Sequence, residues 1–115
     1  MTKLFISQPM RGRCVEDILF ERHGLVYLAQ EMLDCEVQVL DSYFADAAPG
    51  QKPLVFLGKA LEQLATADAA IFAPGWEDAR GCRIEHMCCE EYGVVIIEPC
   101  GPDVEEPDEA EELWP

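Results

Sequence analysis

Short apolar runs and helical stripes alternate along this chain. Leu4-Phe5-Ile6, inside Lys3–Ser7, is a compact apolar run stopped by Gln8-Pro9, as expected of a buried strand. Val15, Ile18, Leu19, Val26, Ala29 and Leu33 then recur at helical spacing, with Glu16 and Asp17 in the first turn, where they complement the helix dipole. Gly24 weakens this helix by about 1 kcal/mol. Glu36–Leu40 predicts a second strand ending at Asp41-Ser42, followed by an Ala-, Pro- and Gly-rich loop from Tyr43 to Pro53. Leu57, Leu61, Leu64 and Ala65 predict a second helix over Leu54–Ala67. Ala69–Ala73 predicts a third strand, broken at Pro74-Gly75. A third helix follows over Ala79–Tyr92, closed by Gly93 at the position a left-handed C-cap favours. Val94–Ile97 predicts a fourth strand, whose continuous β-branched run suits a strand covered on both faces.

Strands alternating with amphipathic helices imply an α/β fold, a mainly parallel sheet of four or five strands with helices on both sides. Ligands in such folds bind beyond the carboxyl ends of the strands. That rule selects Ser7–Arg13, Asp41–Tyr43 and Pro74–Glu85 as candidate site segments.

Composition narrows the function classes. A chain of 115 residues is one domain. We expect that domain over residues 1–100, followed by an acidic tail over 101–115. Asp103–Pro115 holds seven acids and no base, the composition of a solvated segment. The formal net charge of −15 argues against a nucleic acid polymer as partner. No apolar run approaches the roughly 20 residues of a membrane helix, and the N-terminus lacks the pattern of a signal peptide. A cytoplasmic protein with no membrane partner is the expectation. Of the six cysteines, Cys82, Cys88 and Cys89 lie near His86, and a zinc site there is geometrically conceivable on one helix. No second ligand pair accompanies them, so buried thiols are favoured and neither metal nor cofactor is expected.

Two junctions carry candidate chemistry. Ser7, Gln8, Pro9, Met10, Arg11, Gly12 and Arg13 lead from strand 1 into helix 1. Backbone N–H groups and the helix dipole there suit an anion. Four of the eight cationic residues, Arg11, Arg13, Arg80 and Arg83, fall in this junction and its counterpart after strand 3. That concentration in so acidic a chain points to a local phosphate or carboxylate site. In the second junction Gly75 permits a sharp turn and Trp76 offers a flat face to a base. Gly81 and Cys82 let a ligand approach closely. Glu85, near a helix N-terminus, is expected to be an anion and so a nucleophile. A plainer reading makes Trp76 a core aromatic and Glu85 a first-turn charge.

Phe5-Ile-Ser-Gln-Pro-Met-Arg-Gly12, Leu57-Gly58, Ala67-Asp68, Gly75-Trp-Glu-Asp-Ala-Arg-Gly-Cys-Arg-Ile-Glu-His86 and Tyr92-Gly93 together resemble the DUF4406 family, which is similar to nucleoside 2-deoxyribosyltransferases. The resemblance spans roughly Lys3–Ile97. It implies a flavodoxin-like three-layer sandwich and a pocket for a nucleoside or nucleotide. It also implies Glu85 as the nucleophile in hydrolysis or base exchange at an N-glycosidic bond, through a covalent glycosyl-enzyme. Ser7–Gly12 would cradle the sugar or 5′-phosphate, with Trp76 beside the base. Asp68, Asp78 and Asp41 are the candidates for the further acids of those enzymes, Asp68 and Asp78 for catalysis and Asp41 for binding. Arg80, Gly81 and Cys82 complete the expected binding set. The tyrosine those enzymes carry near strand 1 has no counterpart here, since Phe5 and Met10 lack a hydroxyl.

Three readings follow. The first is an N-glycosidic transferase or hydrolase, the second a nucleotide-binding or sensing module, and the third an interaction protein working through its acidic tail. Exposed sheet edges and a small core favour a homo-oligomer, and the resemblance implies pockets completed by a neighbouring subunit.

Overall fold

The computed structural model describes residues 1–40 and 52–98. Asp41, the loop predicted from Tyr43 and the acidic tail lie outside the described residues. The elements run β1 (Thr2–Ser7), α1 (Val15–Leu33), β2 (Val37–Val39), α2 (Pro53–Leu64), β3 (Ala69–Phe72), a 3₁₀ turn (Trp76–Asp78), α3 (Arg80–Tyr92) and β4 (Val95–Ile97). The four strands form one parallel sheet in the order β2-β1-β3-β4. This is a flavodoxin-like α/β sandwich.

Alternation along the strands divides the core. Leu4 and Ile6 of β1, with Ala69, Ile71 and Ala73, face Leu25 and Ala29 of α1. Phe5, Ala70 and Phe72 face the other way, onto Ala60 and Leu64 of α2 and Cys89 of α3. One face thus carries α1 and the other carries α2 and α3. The small residues of β3 let helices approach closely on both sides, and Phe72, fully buried, contributes roughly 1.5–3 kcal/mol through its burial.

Two expectations shift. The second helix stops at Leu64, three residues before the predicted Ala67. Thr66 N–H bonds the Gln63 carbonyl and Ala67 N–H the Leu64 carbonyl, a tightening that turns the chain into β3. β4 closes the sheet as an edge strand and is only partly covered, with Ile97 buried on the α1 side and Ile96 packed on the other, while Val95 stays more than half exposed. A β-branched run reports strand propensity; it does not report whether a neighbour covers the strand.

Candidate active site

Both junctions named from the sequence meet at the carboxyl end of the sheet. Because Ser7 follows Phe5 by two, it points to the α2–α3 face, and the register sets it opposite Phe72. On α3 the inward stripe is Cys82, Glu85, His86 and Cys89, spaced by three and four. These two periodicities bring Ser7 and Glu85 together across 78 residues of sequence. Ser7 Oγ donates to Glu85 Oε1 at 2.6 Å, and both side chains are buried.

Glu85 forms part of the floor of an open cavity of about 230 Å³, lined also by Phe5, Ile6, Ser7, Gln8, Pro9, Met10, Ala79, Gly81 and Cys82. Pockets that enclose a drug-sized ligand run to roughly 300–1,000 Å³, so this one holds the reacting part of a ligand and leaves the rest at the mouth. Burial pushes the Glu85 carboxyl up from its ordinary 4.5 to about 7, with the Ser7 hydrogen bond pulling partly back. The expected anion at a helix N-terminus is therefore not what the structure provides. Glu85 is the sixth residue of α3, beyond the first turn where the dipole acts, and desolvation dominates. Burial likewise pushes the Cys82 thiol up to about 11, so it is a poor nucleophile at neutral pH.

The β1–α1 junction owes its shape to a polar network. Gln8, itself buried, donates from Nε2 to Glu21 Oε1 at 2.8 Å and to the Ile18 carbonyl at 3.3 Å. Its Oε1 accepts from Arg22 Nη1 at 3.0 Å. Arg13 Nη1 spans the Pro9 carbonyl at 2.9 Å and Glu21 Oε1 at 2.8 Å. Each partner satisfies another whose burial alone would be unfavourable. Gly12 sits at φ 75°, a left-handed turn that a side chain would strain.

The second junction works differently. Gly75, at φ 85°, makes the sharp exit from β3. Trp76 does not line the cavity: its ring stacks on His86 with centroids 4.0 Å apart and planes 7° apart, and Phe72 meets it edge-on. His86 Nε2 in turn lies 2.8 Å from Glu98 Oε2. Trp76 is here a partly buried aromatic packed against the core, close to the plainer reading. Arg83 Nη1 donates to the Glu77 carbonyl at 2.9 Å, so like Arg13 it holds the backbone. Arg11 and Arg80 are exposed, adjacent in sequence to the cavity-lining Met10 and to Ala79 and Gly81, and form no ion pair among the described residues. Neither α1 nor α3 has a side-chain N-cap, Cys14 and Ala79 standing there, which leaves backbone donors open to an anion.

Two candidate acids fall outside the cavity. Asp68 precedes β3 at the opposite, amino end of the sheet, where its Oδ2 accepts from the Lys3 N–H at 2.8 Å. It lines a separate apolar cavity of about 650 Å³ between the ends of α2 and α3. Asp78 is exposed in the 3₁₀ turn and its side chain does not reach the Glu85 cavity. Asp41 is outside the described residues. Sequence reasoning missed Arg22, Glu21 and Ala79. Arg22 carried a signal, for it shares the core-facing stripe of Ile18, Leu25 and Ala29. Among the described residues no group of three metal-ligating side chains converges, and no helix is long and apolar enough to cross a membrane.

No family model matches the chain, and neither the curated proteins nor the solved structures give a match.

Proposed function

We propose that this chain cleaves or exchanges the N-glycosidic bond of a (deoxy)nucleoside or its 5′-monophosphate, with Glu85 as the nucleophile. The observation that carries the reading is the buried Ser7–Glu85 pair on the floor of a small open cavity beyond the strand ends. The resemblance to the transferase-like DUF4406 family supports it. So do the uncapped starts of α1 and α3, with Arg11 and Arg80 nearby, as a place for a 5′-phosphate.

In this reading Ser7 holds Oε1 and leaves Oε2 to attack the anomeric carbon. The bond from that carbon to the base nitrogen breaks, and its electron pair leaves with the base, which takes a proton from water at the open mouth. Water, or the nitrogen of a second base, then displaces Glu85 from the anomeric carbon and restores the carboxylate. A nucleophile must be ionised, so activity rises with pH through about 7.

The test is release of free base from a panel of deoxynucleosides and their monophosphates, followed by chromatography. Glu85→Gln should abolish release. Ser7→Ala should lower the rate about tenfold or more and move the midpoint of the pH profile upward, since it removes the hydrogen bond that favours the anion. Undiminished release by Glu85→Gln would sink the assignment.

A second reading has its own support. No other carboxylate lines the cavity among the described residues, and a carboxyl with a pKa of about 7 exists in both forms at neutral pH. Such a group can hold a sugar hydroxyl as donor or acceptor in a nucleotide-binding module. Saturable calorimetric binding of a monophosphate without base release would favour it over catalysis.

A further inference from the structure

A second cavity opens at the amino end of the sheet, where the turn from α2 into β3 meets the turn from α3 into β4. Its volume of about 650 Å³ falls within the roughly 300–1,000 Å³ of small-molecule sites. Leu61 and Leu64 of α2, with Ala67 and Val94, give it apolar walls. The same four residues pack into the Phe5 and Phe72 side of the core, so the walls are held from behind. The Glu85 cavity lies at the other end of the strands, and the two share no lining residue.

The charge around this second cavity has one sign. α2 ends at Leu64 and α3 at Tyr92, and both residues line it, so two helices bring their carbonyl ends, the negative poles of their dipoles, to one place. Neither helix carries a basic residue in its last turn to offset that pole. Asp68 adds a carboxylate to the wall. Its Oδ2 accepts the Lys3 backbone N–H at 2.8 Å, which holds the group in place, and it forms no ion pair among the described residues. No cationic side chain is among the described residues that line the cavity.

These features select the occupant by charge and shape. An anion would meet only negative potential. A metal ion such as calcium takes six to eight oxygen ligands, whereas a single carboxylate stands here among apolar walls. Tyr92 lines the cavity yet is 84% exposed, and its ring offers a π face to a positive head. A molecule with a cationic end and an apolar body satisfies every wall.

We propose that this cavity binds a small organic cation, a primary amine carried on an aromatic or alkyl body. The ammonium lies between Asp68 and the carbonyl ends of α2 and α3, and the apolar body fills the space against Leu61 and Leu64. Asp68, which has no part in the Glu85 cavity, thereby has a role of its own, independent of any reaction at Glu85.

Titration calorimetry at pH 7 and low salt tests this with three probes that share an indole body: tryptamine, the neutral tryptophol and the anionic indole-3-propionate. Tryptamine should bind one to one with a Kd of about 1 mM or tighter. Tryptophol should bind about three- to tenfold more weakly, and the propionate more weakly still. Added salt should weaken tryptamine alone towards the tryptophol value. Asp68→Asn keeps an oxygen for the Lys3 N–H and removes the charge, so the fold holds by circular dichroism while tryptamine falls to the affinity of tryptophol. Glu85→Gln should leave tryptamine affinity unchanged. Absence of tryptamine binding overturns the proposal, as does tryptamine binding no tighter than tryptophol. Full affinity in Asp68→Asn overturns it too, and so does a loss in Glu85→Gln, which places the amine in the other cavity.

Discussion

The junctions after β1 and β3 look alike in sequence, each with a proline, a glycine and two arginines, and the structure gives them different work. Each divides its arginine pair in the same way. Arg13 and Arg83 tie down backbone carbonyls, whereas Arg11 and Arg80 are exposed. The first junction, however, sends Ser7, Gln8, Pro9 and Met10 into the cavity wall. The second turns Trp76 back onto His86 and Phe72, and lines the cavity only with Ala79 and the start of α3. One junction is a wall clamped by buried polar contacts; the other is a spacer anchored by stacked rings. An unusual motif can thus be conspicuous because it builds a turn, while the cavity-facing side chains lie in a plainer segment.

The largest expected effect separates wall from spacer. Gln8→Leu removes one hydrogen bond each from Arg22, Glu21 and the Ile18 carbonyl and puts an apolar side chain among buried polar groups, and should cost about 2–4 kcal/mol. Thermal melts should show a fall in Tm of about 10 °C or more, together with weakened ligand binding. Trp76→Ala should also lower Tm, but leave ligand affinity within about twofold, as its ring is outside the cavity. Equal loss of affinity in the two variants would erase the distinction.

Glu85 gives the next effect, and its sign is specific. Its pKa is raised in the folded state, so the fold is favoured with the carboxyl protonated. That contribution is complete below about 4.5 and lost as pH rises through about 7. Glu85→Gln never ionises. It should therefore be more stable than the wild type at pH 8, by up to roughly 3 kcal/mol, with the gap closing towards pH 4. Chemical denaturation at the two pH values measures this. A constant gap would mean that ionised Glu85 is no burden to the fold.

The smallest effect lies within the arginine pair of the wall. Arg11→Ala should weaken a 5′-monophosphate about three- to tenfold relative to the free nucleoside, and leave Tm unchanged. Arg13→Ala should do the reverse. It removes a partly exposed ion pair and a carbonyl contact, a loss of about 1 kcal/mol after solvent screening, with little selectivity between the two ligands. Titration calorimetry with the paired ligands distinguishes them.

Much of the architecture was legible in the chain because it is local. Short apolar runs and period-3.6 stripes located the four strands and three helices, though not the 3₁₀ turn, and Gly93 does close α3 in a left-handed cap at φ 77°. The boundary errors at the end of α2 and the exposure of β4 arose where a neighbour, not a propensity, decides. For the site, the rule that ligands gather at strand carboxyl ends selected the end of the sheet where Ser7, Glu85 and their shared cavity lie. Applied strictly it would also have set aside Asp68, which precedes its strand. The inward stripes of α1 and α3 carried a signal that Arg22 and Glu85 are buried, but sequence reasoning missed Arg22 and took Glu85 for an ionised carboxylate near a helix start.

What the sequence by itself determined, then, is the order of elements, the parallel sheet and the end at which a site can form, since these follow from periodicity and connectivity. Only the tertiary structure decided that Ser7 reaches Glu85, that Trp76 spends a face on His86, and that the carboxyl of Glu85 sits near 7. Those facts depend on distances between residues far apart in the chain and on the water excluded between them, and no local pattern encodes either.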